Sequence, residues 1–239
     1  MKQYSYLDFL AAFGIGSAHP GGFTLTKQIL TQLSLGPYTK LLEIGCGTGR
    51  TASYIVKQYG SVVSAVEMNE TMIEKAKKRW NKDGVNIELI KGSAETLPFR
   101  DEVFHIVLGE SVLAFTNKRK TIDECYRVLQ RGGVLLVIEL VAEQHLSIHE
   151  EAQIMTLYGM EQLLTEHEWI ALFQEAQFTT VRVVGGGTIA ETISSHVEQL
   201  EMDISDFISQ DLYNAWSAHE HIIQQYKHRL GHRIFMCQK

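Results

Sequence analysis

The stretch Leu41-Leu42-Glu43-Ile44-Gly45-Cys46-Gly47-Thr48-Gly49-Arg50 restricts the fold of this chain more than any other. Apolar and acidic residues give way to glycine at alternate positions, and helix-compatible Thr51 to Val56 follows. A buried parallel strand that turns sharply into a helix reads this way. Glycine lets the turn take positive φ and lets a ligand approach the backbone closely. The helix behind the turn presents free N–H groups and a positive dipole end. A nucleotide-type ligand is therefore expected. The dinucleotide spacing Gly-x-Gly-x-x-Gly is not met, because counting from Gly45 its third place falls on Arg50 and Gly49 comes one residue early. Glu43 would also repel a pyrophosphate while tolerating a cationic or hydroxyl-bearing ligand. A nicotinamide-dependent oxidoreductase is thereby disfavoured.

The rest of the chain alternates strand and helix patterns. Tyr6, Leu7, Phe9, Leu10 and Phe13 stand near helical spacing, Gly14 to Gly22 breaks the pattern, and Phe23 to Leu35 resumes it. This first unit should pack over the open end of the sheet. Ser61 to Val66 is a β-rich run ending in Glu67, a carboxylate about twenty residues past the glycines, where a ribose-binding acid belongs in such folds. Asn69 can cap the next helix, whose last turn is expected to hold Lys75, Lys77, Lys78 and Arg79, a cluster explained by the helix dipole. Further strands are read at Val85 to Ile90, Val103 to Leu108 and Val134 to Leu140, with a helix from Lys118 to Arg131 ended by Gly132-Gly133. Thr165 and Glu168 form a capping box, with Leu164 and Trp169 as its staple. Phe178 to Val184 reads as a sixth strand ended by Gly185 to Gly187. Residues 188–230 read as helical, through Ile193, Val197 and Leu200 and on to Tyr226, and Arg233 to Cys237 is a last strand. This alternation means a parallel sheet with right-handed crossovers.

Glu-x-Gly-Cys-Gly-Thr-Gly after a hydrophobic pair resembles the first motif of class I S-adenosylmethionine-dependent methyltransferases. Gly92-Ser93-Ala94-Glu95-Thr96-Leu97-Pro98-Phe99, Phe104-His105-Ile106-Val107 and Glu124 to Gly133 are similar to the branch of the ubiquinone and menaquinone C-methyltransferases, the methyltransferase type 11 branch. The resemblance implies a doubly wound, mostly parallel seven-stranded α/β sheet, Rossmann-like. Around that core, residues 40–187 and 231–239, an N-terminal helical lid (1–39) and a helical insertion between strands six and seven (188–230) are expected.

The same resemblance implies S-adenosyl-L-methionine as cofactor, methyl transfer to a small-molecule acceptor, and S-adenosylhomocysteine as product. Gly45, Cys46, Gly47, Thr48 and Gly49 would pass near the methionine part, Glu67 would hold the ribose, and Met68 would pack on the adenine. Ser93, Ala94 and Glu95 would sit at the adenine edge, Ser93 standing where the family usually has Asp. Carboxylates at Glu43 and Glu110, with aromatics such as Tyr6 or Phe23, would favour the sulfonium over its neutral product. His105 replaces another common Asp and is read as supporting the fold. His19, in a glycine-bounded loop foreign to the family pattern, is either a turn residue or a general base over the reactive methyl. A non-catalytic protein that only senses the cofactor remains a second reading.

A net charge of -6 argues against nucleic acid as a partner. Cys46, Cys125 and Cys237 are odd in number and widely spaced, which favours a reducing cytoplasm over a disulfide framework. Asp8 interrupts the apolar run from Leu7 to Ala18, which therefore makes a poor signal peptide, and no stretch suits a membrane span. His145 and His149, four apart, lack the neighbours of a zinc motif, and no metal site is expected. Cys46 is read as packing rather than as a nucleophile.

Overall fold

In the computed structural model, which describes residues 4–195 and 201–239, one sheet organises the chain. Its strands are β1 (Lys40–Ile44), β2 (Val62–Glu67), β3 (Glu88–Lys91), β4 (Phe104–Glu110), β5 (Leu129–Ala142), β6 (Thr180–Thr188) and β7 (Leu230–Gln238). They lie in the order β3-β2-β1-β4-β5-β7-β6. Pairings among the first five strands are parallel, while β7 runs antiparallel between β5 and β6. The strand order reverses between β1 and β4. In an open α/β sheet the crevice beyond the carboxyl ends at that reversal is where ligands bind.

The helices are α1 (Tyr6–Phe13), α2 (Gly22–Leu30), α3 (Arg50–Tyr59), α4 (Glu70–Asp83), α5 (Lys118–Val128), α6 (Ile148–Tyr158), α7 (Glu166–Glu175), α8 (Ile189–Ser195) and α9 (Gln210–Tyr226). Side-chain oxygens start several of them. Ser5 and Asp8 box α1, Thr165 and Glu168 box α7, and Asn69 accepts the Met72 amide at 3.2 Å to start α4.

The core has three parts. On one sheet face Leu135, Val137 and Phe235 bury against Ile122, Trp169 and Phe173. On the other, Leu41, Leu136 and Ile138 pack with Ile55 and Trp80. A third cluster lies beyond the strand ends and joins Tyr6, Phe9 and Phe13 of α1 to Ile154, Leu212, Ile222 and Tyr226. Among the described residues no helix is long and apolar enough to cross a membrane.

Several boundaries differ from the sequence reading. The second helix ends at Leu30, and its Ile29 and Leu30 join the sheet-face core. α1 and the loop after it roof the strand ends together with Gly22 and Phe23 at the start of α2, while the end of α2 packs on the sheet. α4 continues to Asp83, so Lys75 to Arg79 lie inside it and the dipole does not account for them. α5 stops at Val128 because Leu129 already pairs with Phe104, which leaves Gly132-Gly133 inside the strand that follows. Gly185 to Gly187 extend β6 instead of ending it, since Ile234, Arg233 and His232 offer a continuous ladder beyond a register shift at Val183. Between β6 and β7 the helices α8 and α9 are separated by non-helical residues from 201 onward, while Val197 and Leu200 lie outside the described residues.

Candidate active site

Strands β1, β2 and β4 end side by side and deliver Gly45, Glu67 and Glu110 to one rim. The glycine turn crosses this rim, and a cavity of about 750 Å³ opens above it. Its backbone is held from below. The Cys46 amide donates to the Val66 carbonyl at 3.2 Å, and the Gly47 amide donates to Glu67 Oε2 at 2.9 Å. Gly47 has φ of 54°, and a Cβ there would meet no atom within 4 Å, so its open side faces free space. Gly49 differs: a Cβ there would lie 2.5 Å from Trp80 Nε1, and its carbonyl accepts that indole N–H at 2.8 Å.

Three carboxylates gather beneath the cavity. Glu67 accepts the amides of Gly47, Met68 and Asn69, each at 2.9 Å. Glu43 is buried, and its Oε2 has no hydrogen-bond partner. Burial pushes its carboxyl well above the usual range, and the charges of Glu110 and Glu67 push the same way against one lowering amide, Ala52. Burial would also raise Glu110, but the His19 charge and the hydrogen bonds from His19, Thr26 and Thr51 bring it below the usual range. Thr48 Oγ1 is a second buried oxygen without a partner.

His19 stands under the roof with its side chain 1% exposed. Nε2 lies 3.2 Å from Glu110 Oε1 and 3.0 Å from Thr26 Oγ1, while Nδ1 lies 3.1 Å from the Pro20 carbonyl. Thr26 also donates to Glu110 Oε1, and Thr51 donates to Oε2 at 2.7 Å. The loop after α1 is thereby tied to the end of β4.

A second strap crosses the roof. Residues 201–205 run along residues 12–16, with Gly16 N donating to Glu201 O at 3.1 Å, Asp203 N to Gly14 O at 3.1 Å and Ser205 N to Ala12 O at 2.8 Å. Basic side chains from α3 and α4 clamp it. Arg50 meets Glu201 at 2.8 Å, Arg79 reaches the same carboxylate, Lys75 donates to the Asp203 carbonyl, and Lys78 lies 3.4 Å from its carboxylate. Away from the glycine turn the same cavity has an aromatic end lined by Tyr6, Phe9, Phe115, Tyr158, Trp216 and His219.

Comparison with known proteins fits this geometry. A family model described as a methyltransferase domain matches residues 42–137. An uncharacterized methyltransferase of Bacillus subtilis, YodH, is 34% identical over 98% of this chain and 99% of its own length. This chain belongs to the methyltransferase family. A demethylmenaquinone methyltransferase of Chlorobaculum tepidum is 31% identical over 57% of this methyltransferase and 54% of its own length. Among solved structures, phosphoethanolamine N-methyltransferase 2 of Haemonchus contortus, in complex with S-adenosyl-L-methionine, superposes with a TM-score of 0.77 at 17% identity. The match covers all of this chain and 58% of that one. At that identity the likeness is one of fold.

Of the residues singled out from the sequence, His19, Glu43, Gly45, Cys46, Gly47, Thr48, Glu67, Met68, Ser93, Ala94 and Glu110 line the methyltransferase cavity. Gly49 and Glu95 do not. Gly49 backs onto Trp80, and Glu95 accepts the Asn117 amide at 2.9 Å, which steadies the start of α5. Cys46 is buried and its thiol is held well above its usual range by that burial and by Glu43 and Glu67, as suits a packing residue. His105 accepts the Lys40 amide at 3.0 Å at the amino ends of β1 and β4, away from the cavity. His145 precedes the Ser147 cap of α6 while His149 lies within it, so the two do not share a helix face. Thr26, Thr51 and Glu201 were not singled out, and Arg79 was read only as a helix-dipole charge. Their partners lie from 31 to 122 residues away in sequence, a separation that carries no local signal.

Proposed function

We propose that the protein transfers a methyl group from S-adenosyl-L-methionine to a small-molecule acceptor and releases S-adenosylhomocysteine. The observation that carries this is the cluster of Glu43, Glu67 and Glu110 under an open-backed glycine turn, with two buried oxygens, Glu43 Oε2 and Thr48 Oγ1, left without partners. Glu43, raised by burial and by the charges of its two acidic neighbours, is relieved by a cation, and a sulfonium with an α-amino group supplies positive charge there. A pyrophosphate would add negative charge to the same place, which counts against the nicotinamide reading.

The residues fit that group. Glu67 has lone pairs beyond the three amides it accepts and would hold the ribose hydroxyls. Glu43 and Thr48 would take the amino-acid end, Met68 and Ala94 would face the adenine, and Ser93 would stand at its edge. When bound, the cofactor supplies an activated methyl group. The chain's own task is to align the acceptor, exclude water and hold the proton released. The strap at 201–205 and α1 exclude water. In this reading His19 is a positioning residue rather than the base, because both of its ring nitrogens face acceptors within the protein.

The aromatic lining favours an enzyme over a cofactor sensor, since it gives the cavity apolar walls beyond the residues assigned to the cofactor. Its apolar walls support a small, partly hydrophobic acceptor, and the net charge of -6 counts against nucleic acid. Three free, buried cysteines support a reducing, cytoplasmic setting. The test is calorimetry with S-adenosyl-L-methionine, S-adenosylhomocysteine and NAD. Heat with the first two and none with NAD is expected, whereas binding of NAD alone overturns the proposal.

A further inference from the structure

The aromatic end of the cavity carries a group that the cofactor reading does not use. His219 projects from α9 and lines the cavity together with Tyr6, Phe9, Phe115, Tyr158 and Trp216. Its ring lies 5.0 Å from the Tyr6 ring and 5.8 Å from that of Tyr158. Its Nδ1 is 3.0 Å from the Tyr158 hydroxyl. Among the described residues no hydrogen bond takes Nε2. With Nδ1–H donating to the Tyr158 oxygen, the open Nε2 carries the lone pair of a proton acceptor. His19 is the contrast, with both nitrogens engaged.

The charge around this chamber narrows what can enter. Arg50 is the single lysine or arginine lining the cavity among the described residues, and it is committed to Glu201 at 2.8 Å and to the face of Phe23 at 4.0 Å. Asp8 lies on the lining as well, but its carboxylate is spent on the Ser5 cap. A phosphate or carboxylate on the acceptor would enter beside Glu220 and five aromatic walls, with no uncommitted lysine or arginine among the described residues to meet it, and burying an unpaired anion is costly. Flat aromatic walls instead suit a ring, by stacked and edge contacts.

Building on the cofactor reading above, we propose that this chamber is the acceptor subsite, that it takes an uncharged, ring-bearing hydroxyl compound, and that His219 Nε2 is the general base. As the acceptor oxygen forms its bond to the methyl carbon, the hydroxyl proton passes to His219 and the methyl–sulfur bonding pair stays on sulfur. The imidazolium then returns its proton to solvent, with Tyr158 holding the ring throughout.

The groups facing His219 set its behaviour with pH: Tyr6 from α1, Tyr158 from α6 and Glu220 from its own helix. Burial lowers the imidazole below its ordinary value and the Glu220 charge opposes this, so the ring is a neutral base at pH 7. Both tyrosines are raised by burial, and Glu220 and Tyr6 add to the rise at Tyr158, so they stay protonated.

The probes are 2-naphthol and 2-naphthyl phosphate, tested on the whole protein. Calorimetry in saturating S-adenosylhomocysteine is expected to show naphthol binding at least about tenfold more tightly than the phosphate. Wild-type protein should methylate naphthol with a kcat/KM that falls on the acid side, and His219→Asn should lower kcat by about 100-fold or more while keeping the naphthol Kd within about threefold. Tyr158→Phe should shift the acid limb, a change that a merely structural role would not make. Tighter binding of the phosphate, no binding or methylation of naphthol, or wild-type turnover by His219→Asn overturns the inference. Failure of S-adenosylhomocysteine to bind wild-type protein overturns the cofactor reading instead, and the two failures are read in separate titrations.

Discussion

Glu67 at the end of β2 accepts the amide of Gly47 at 2.9 Å, so one carboxylate both shapes the glycine turn and stands where a ribose would lie. The other oxygen takes the amides of Met68 and Asn69, which fixes the start of α4. Glu67→Ala removes a charged acceptor from three donors, and a hydrogen bond to a charged group contributes about 1.5–3 kcal/mol. S-adenosylhomocysteine should then bind roughly 10- to 100-fold more weakly by calorimetry. Glu67→Gln should recover part of that loss, because it keeps an acceptor oxygen. Unchanged affinity in Glu67→Ala counts against a cofactor seated on this carboxylate.

Gly47 and Gly49 are separated by one residue and should respond differently to a methyl group. Gly47→Ala meets open space, so its stability cost is the backbone term alone, about 1–2 kcal/mol for a left-handed conformation. Cofactor affinity should nonetheless fall by about 100-fold, since the new Cβ occupies the face a ligand must approach. Gly49→Ala drives its Cβ to 2.5 Å from Trp80 Nε1. Overpacking and backbone strain together should cost roughly 2–5 kcal/mol, visible in thermal unfolding without ligand. Equal losses of affinity and stability in the two variants would contradict this division.

The tie between His19 and Glu110 predicts paired phenotypes. If His19 positions the roof, His19→Asn and Glu110→Gln should each weaken cofactor affinity and lower kcat together, and the double variant should be little worse than either, as expected for residues in one network. A His19→Asn enzyme with intact affinity, a much lower kcat and a lost acid limb would restore the base role. Calorimetry and a pH–rate profile on the three variants decide between them.

The clamp on the strap makes ligand affinity depend on salt. Glu201 meets Arg50 and Arg79 with all three side chains partly exposed, so each pair contributes modestly, about 0.2–1 kcal/mol. Raising the salt from about 0.05 to 0.5 M shortens the screening length severalfold and should weaken S-adenosylhomocysteine binding. Glu201→Gln should weaken it at low salt and flatten the salt dependence. A variant as salt-sensitive as wild type would place the effect elsewhere.

The parallel sheet and its glycine turn were legible because both are written locally, in apolar runs of strand length and in glycine spacing. The ends of elements were harder. Gly185 to Gly187 read as a stop, yet the neighbouring β7 supplies ladder partners that a single strand does not reveal. Lys75, Lys78 and Arg79 read as dipole charges, but their acidic partners lie 122 to 128 residues further on, in the strap. The three carboxylates were found because each sits at a strand end. The engagement of His19 was not, because Thr26 and Glu110 meet it only once α2 has packed on the sheet.

Glu139, towards the carboxyl end of β5, gives the fold a pH dependence separate from the chemistry. It is fully buried and accepts the amides of Val112, Leu113 and Ala114 at 2.9–3.1 Å, so it holds the segment that follows β4 along the cavity wall. Burial pushes its carboxyl up to about 7, against the pull of those amides and of Lys118. The folded-state value lies above that of an unfolded glutamate, about 4.3, so the folded protein holds this proton more tightly than the unfolded chain. Its stabilising contribution is complete below about pH 4.3 and is lost as the pH rises through about 7, in total on the order of 3 kcal/mol. Glu139→Gln is isosteric with the protonated acid and does not titrate. Its Tm should match wild type near pH 4 and exceed it at pH 8 by roughly 6–12 °C. A difference between the two that stays constant from pH 5 to 8 would show that the carboxylate is already ionised throughout, with the three amides outweighing burial.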